Sequence, residues 1–155
     1  RRGYEDLVLL AAASGSPLAW TAVTFPDDGY AWFTLKDPRV LRQTILWISN
    51  GGRHYAPWNG RHVDVLGLEE VTSYFHFGLD ESAAPNPLSE HGFPTSIPLD
   101  GRPLDIACIA AVAAIPEGFD HVADIAPQTG EDAVTVTSRS GESVTVPLCY
   151  SFLRP

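Results

Sequence analysis

Residues 133 to 147 read Ala133-Val134-Thr135-Val136-Thr137-Ser138-Arg139-Ser140-Gly141-Glu142-Ser143-Val144-Thr145-Val146-Pro147. Both flanks alternate polar and apolar side chains, the period of two that a strand with one buried face requires. The Ser-Arg-Ser-Gly-Glu stretch between them supplies a turn. This predicts an antiparallel hairpin with valines inward and threonines outward, broken at Pro147 by an edge or a bulge.

Working outward, runs of strand length recur: Leu7 to Ala13, Leu18 to Phe25, Tyr30 to Leu35, Thr44 to Ser49, Val63 to Leu68, Ile106 to Ile115, Val122 to Ile125, Val134 to Thr137 and Val144 to Phe152. Between them stand Ser14-Gly15-Ser16-Pro17, Pro26-Asp27-Asp28-Gly29, Asn50-Gly51-Gly52 and Gln128-Thr129-Gly130, all residues with turn-forming backbone preferences. Helical periodicity is sustained nowhere, and Leu68 to Phe77 allows one turn or two. The expectation is an all-β fold, an antiparallel β-sandwich, built by residues 1–155 as a single domain without repeat or linker. Residues 80–103 carry Pro85, Pro87, Pro94, Pro98 and Pro103 and read as an ordered loop or flap, with Phe93 and Ile97 as anchors.

The chain has 155 residues, 45% hydrophobic and 19% charged, with a formal charge of -9. That length builds a sizeable core. The acidic balance argues against nucleic acid and anionic membrane surfaces as partners, and no apolar stretch approaches spanning length. The chain opens Arg1-Arg2-Gly3-Tyr4, has no Met, and lacks the pattern of a signal or transit peptide, so it reads as a piece of something longer. Cys108 and Cys149 sit in apolar runs and read as two buried free thiols of a cytoplasmic protein, a single bridge being the alternative.

The densest mixture of polar and aromatic residues runs from Trp47 to Glu70 and holds Trp47, Asn50, Arg53, His54, Trp58, Asn59, Arg61, His62, Asp64, Glu69 and Glu70. Indole faces cover the C–H side of a pyranose while amide, guanidinium and carboxylate groups bond its hydroxyls. A Gly-rich exposed loop also collects polar residues, but two tryptophans weigh against simple exposure. If His62 to Glu70 is one strand, Arg61, Val63, Val65, Gly67 and Glu69 share a face, and His62, Asp64, Leu66, Leu68 and Glu70 share the other. Glu69 then ends a small, apolar face with space beside Gly67, a setting for a partly desolvated general base. Alternation alone leaves Glu69 and Glu70 both open, since a bulge exchanges the faces.

His62 and Asp64, with a neighbouring glutamate, admit a cupin-like metal site, but one His-x-Asp is a weak signal beside the motifs that metal enzymes carry. No Gly-x-Ser-x-Gly elbow and no phosphate loop is present. His91 and His121 read as solvated. No cofactor is implied.

At this cluster the sequence resembles the C-terminal half of the aldose 1-epimerase-like, or galactose mutarotase-like, superfamily. The residues that carry the resemblance are Thr44-Ile45-Leu46-Trp47-Ile48-Ser49-Asn50, Val65-Leu66-Gly67-Leu68-Glu69 and the closing β segments with Ala114-Ile115-Pro116-Glu117-Gly118-Phe119. The resemblance implies part of a large antiparallel β-supersandwich, and a glutamate base with a histidine acid that open and reclose a sugar ring. By motif Glu69 would be the base, with Glu70 where the family often has proline. The family's acid histidine comes from an N-terminal half that this sequence does not contain, and no motif assigns that role to His54, His62 or His76.

The sequence therefore supports an aldose 1-epimerase-like isomerase, or its C-terminal portion. On that resemblance Glu69 would be its base, with Glu70 the other candidate, and Asn50, Arg53, His54, Trp58, Asn59, Arg61, His62 and Glu70 would shape the sugar pocket. The alternatives are a non-catalytic carbohydrate-binding sandwich and the cupin-like metal enzyme. Half a sandwich leaves sheet edges and apolar faces open, so self-association or a covering N-terminal half is expected.

Overall fold

The computed structural model describes residues 3–13 and 15–153. It is 41% strand and 8% helix, with three antiparallel sheets and no barrel, an all-β sandwich-like fold. Each of the nine apolar runs overlaps a strand: β1 (Tyr4–Ala11), β2 (Ala19–Phe25), β3 (Tyr30–Lys36), β4 (Gln43–Asn50), β5 (Val65–Val71), β6 (Cys108–Ala114), β7 (Val122–Pro127), β8 (Ala133–Ser138) and β9 (Ser143–Pro147). Two short α-helices, α1 (Leu79–Ala83) and α2 (Pro87–Glu90), fall in and beside the Pro-rich stretch, and a single 3-10 turn spans Ser151–Leu153. Among the described residues no helix is long and apolar enough to cross a membrane.

The chain gathers into two compact units. The first takes residues 1–14 and 38–104, the second residues 15–37 and 105–155.

In the second unit the sheets β2-β3-β6 and β7-β8-β9 enclose the main core. Strand β3 is central, and its alternation sends Ala31, Phe33 and Leu35 inward, all fully buried. Phe33 and Leu35 join Ile109, Ala113, Phe119, Ile125, Val134, Val136 and Leu153 in one cluster. The hairpin forms as expected, with Val134 opposite Val146, Val136 opposite Val144 and Thr135 opposite Thr145. Burying the valine pairs removes apolar area from water at about 25 cal/mol per Å².

Both cysteines depart from the expectation, being free and exposed rather than buried. The period of two explains it. Ile109 points into the core, so Cys108 beside it points out; Leu148 and Tyr150 pack against the core, so Cys149 between them does the same.

In the first unit β4 lies between β1 and β5. One face carries the row Glu5, Ser49, Val65, then Leu7, Trp47, Gly67, then Leu9, Ile45, Glu69, then Ala11, Gln43, Val71. The opposite face carries Val8, Leu46 and Leu68 with Asp6, Ile48 and Leu66, and Val8, Leu10 and Leu66 are exposed there. The segment after β5 is tied to the first face through Gln43, whose Nε2 donates to the Pro94 carbonyl at 2.7 Å and whose Oε1 accepts from the Ser73 amide at 3.3 Å.

Candidate functional site

The site forms where the loop of residues 51–64 returns over the end of β1 and β4. The loop closes on itself, with the Gly51 amide donating to the His62 carbonyl at 2.8 Å and the Gly60 amide to the Arg53 carbonyl at 2.8 Å. Gly52 lets it pass against β1: a Cβ there would lie 2.4 Å from the Tyr4 carbonyl carbon and 2.6 Å from the Glu5 nitrogen.

That crossing delivers hydrogen-bond donors to Glu5. Its Oε2 accepts from Trp47 Nε1 at 2.6 Å, and its Oε1 accepts from Ser49 Oγ at 2.9 Å and the Gly52 amide at 3.1 Å. Arg53 Nε stands 3.8 Å from Oε2. Burial raises the Glu5 pKa, but the hydrogen bonds from Trp47, Ser49, Gly52 and Arg53 outweigh it and hold the carboxyl below its ordinary value.

Four side chains assemble beside this carboxylate. The His62 ring stacks on Trp47 with centroids 4.9 Å apart and planes at 23°, and lies 5.1 Å from Trp58. Trp58 meets Trp47 edge-on at 5.7 Å. The Arg53 guanidinium lies over both indoles, 4.5 Å from the Trp47 ring centre and 5.1 Å from that of Trp58. His62 Nδ1 is 2.8 Å from Ser49 Oγ, so Ser49 joins the imidazole to Glu5. Glu5 is the residue that sequence reading missed; its signal is a lone acid in line with Leu7 and Leu9 on one strand face.

Of the expected site residues, Arg53, Trp58 and His62 come together here. His54 sits against Gly60 in the same loop, at 3.4 Å from where a Cβ would stand, and is exposed. Asn59 takes a left-handed backbone, φ 50°, and its Nδ2 reaches the Pro57 carbonyl at 3.4 Å; exposed Arg61 reaches the same carbonyl at 3.3 Å. Asn50 ends β4.

The supposed strand from His62 to Glu70 begins only at Val65. Asp64, exposed with φ 56°, turns the chain into it, so His62 and Asp64 do not share a strand face. That removes the pairing on which the cupin-like reading rested. Among the described residues no three His, Cys, Asp or Glu side chains gather as a metal site.

Glu69 and Glu70 lie apart from the cluster. Glu69 pairs with Ile45 across the sheet and is exposed, so the partial desolvation expected of it is not found. The space beside Gly67 is filled: a Cβ there would meet Trp47 Cε3 at 3.2 Å. Glu70 faces the other way and accepts from Thr44 Oγ1 at 2.7 Å. Exposed His76 packs between Phe75 and Phe77, at ring distances of 4.5 and 4.8 Å, in a surface groove of about 430 Å³ with Thr95 and Ile97. The groove's buried hydroxyls serve the loop itself, since Thr95 Oγ1 donates to the Ser82 carbonyl and Ser82 Oγ accepts from the Tyr74 amide.

No family model, curated protein or solved structure matches the chain.

Proposed function

We propose that the chain is an aldose 1-epimerase-like protein whose loop at residues 51–64 binds a sugar and takes part in interconverting its anomers. The observation that carries this reading is the assembly around His62, where two indoles, a guanidinium and an imidazole meet and Glu5 braces the imidazole through Ser49. A pyranose needs this mixture of apolar faces and directional donors. Arg53 and His62 already cover the Trp47 ring. The sugar is therefore left with exposed Tyr55, the polar rim of His54, Asn59 and Arg61, and the outer atoms of the cluster.

In ring opening a base takes the proton of the anomeric hydroxyl, C1=O forms as the C1–O5 bond breaks, and an acid delivers a proton to O5. Rotation about C1–C2 and the reverse steps give the other anomer. The resemblance offers Glu69 as base, and the cluster offers His62, in its protonated form, as acid. Two unpaired cysteines support a cytoplasmic setting.

One observation favours the non-catalytic alternative. Glu69 stands four residues along β5 from Val65, about 13 Å at the rise of a strand, away from the His62 end of the sheet. The test is titration of the chain with aldohexoses, following the indole resonances of Trp47 and Trp58, together with anomer exchange measured by NMR. Binding with exchange faster than buffer, lost in Glu69→Gln, supports the isomerase. Binding without acceleration selects the sugar-binding module, and indole resonances that no sugar moves overturn both.

A further inference from the structure

Ser49 is 1% exposed. Its Oγ stands 2.9 Å from Glu5 Oε1, 3.1 Å from the His62 carbonyl oxygen and 2.8 Å from His62 Nδ1. A hydroxyl has one hydrogen, while an ionised carboxylate and a carbonyl only accept. If Ser49 gave its hydrogen to Nδ1, its oxygen would face two acceptor oxygens at 2.9 and 3.1 Å with no proton between them. If the hydrogen points to Glu5 or to the carbonyl, Nδ1 supplies the other proton and donates to Oγ. The second arrangement leaves one such contact in place of two, and the acceptor in it keeps another donor, the Gly52 amide at Glu5 Oε1 or the Gly51 amide at the His62 carbonyl. Glu5 is suited to it, since the Trp47 and Gly52 donors hold it ionised.

The ring has little freedom to turn away. It is stacked on Trp47 and braced by Trp58, and its own carbonyl is tied to the Gly51 amide. Among the described residues Nε2 has no hydrogen-bond partner, and the His62 side chain is half-buried.

We propose that Glu5 and Ser49 are positioning residues that keep a proton on His62 Nδ1, so that Nε2 is the nitrogen that exchanges a proton with a hydroxyl or ring oxygen of a bound sugar. Nδ1 keeps its proton in both charge states of the ring. As imidazolium, His62 gives the Nε2 proton to the sugar oxygen; as neutral imidazole, it takes that proton back when the ring closes. On the imidazole only Nε2 changes its protonation, while the proton of the anomeric hydroxyl goes to the base of the ring-opening step and returns from it on closure. The tautomer is a property of the chain alone, and the ligand's identity rests on the sugar reading above.

The experiment is long-range 1H–15N correlation on the full chain labelled at histidine, recorded where the ring is neutral, with and without aldohexose. The expected wild-type ring is protonated on Nδ1 and bare on Nε2, and sugar shifts Nε2 while Nδ1 stays. Ser49→Ala shifts the ring toward the Nε2–H form that free histidine prefers, and Glu5→Gln shifts it in the same direction. A wild-type ring protonated on Nε2 overturns the proposal with the sugar site intact, and so does a tautomer unchanged in both variants. A ring protonated on Nδ1 that no aldohexose shifts overturns the sugar reading and the exchange role with it. Should either variant fail to fold, the wild-type spectrum still decides the tautomer.

Discussion

The indole of Trp47 reaches diagonally across the β1–β4 pair to donate its N–H to Glu5 at 2.6 Å. Glu5 is thereby the hinge of the site, because its carboxylate is held by the strand that carries Trp47 and Ser49 and by the loop that follows. Its depressed pKa has a consequence for folding. A carboxyl whose folded pKa lies below its ordinary value of 4.5 stabilises the fold above that pH and loses the contribution as pH falls through the folded value. Glu5→Gln should therefore lower the urea midpoint at neutral pH, and its deficit against wild type should shrink below pH 4.5. A deficit constant from neutral to acid pH would show that the ionised carboxylate is not what these donors stabilise.

Gly52→Ala tests the crossing of loop and strand. The added methyl would stand 2.4 Å from the Tyr4 carbonyl carbon and 2.6 Å from the Glu5 nitrogen, both backbone atoms that cannot swing aside. Forced overpacking costs about 1–3 kcal/mol, and here the displaced loop also carries donors of Glu5. Urea unfolding should register a loss in that range or above, and NMR should show the Trp47 indole N–H moving from its hydrogen-bonded position. Wild-type stability in Gly52→Ala would mean that the loop does not lie against β1.

The strands were legible because alternation and turn residues are local signals. Val134, Val136, Ile109 and Phe33 each announce the inward face of their own strand, and all are buried. The same alternation, applied through Leu148 and Tyr150, would have placed Cys149 outward, where counting apolar neighbours places it inside. The site was legible only in part. Arg53, Trp58 and His62 lie within ten residues of one another, whereas Glu5 meets Trp47 and Ser49 across 42 and 44 residues of chain, and only sheet register brings them together. The two units were hidden for a related reason: each is assembled from two separate stretches of chain, so no single linker marks a boundary.

Asn86 holds the Pro-rich segment and gives the last prediction. It is 5% exposed, and its Oδ1 caps α2 by accepting from the Leu88 and Ser89 amides, both at 3.1 Å. Its Nδ2 donates to Thr95 Oγ1 at 2.8 Å and to the Ala84 carbonyl at 3.0 Å, so one amide ties both short helices to the strand of chain that follows them. Losing a cap costs about 0.5–2 kcal/mol, and here buried partners are orphaned as well. Asn86→Ala should speed limited proteolysis between residues 79 and 97 by about tenfold, as local opening becomes easier. Asn86→Asp keeps the acceptor and loses the donors, and should fall between wild type and alanine. Equal cleavage in all three proteins would show that the amide does not hold this segment.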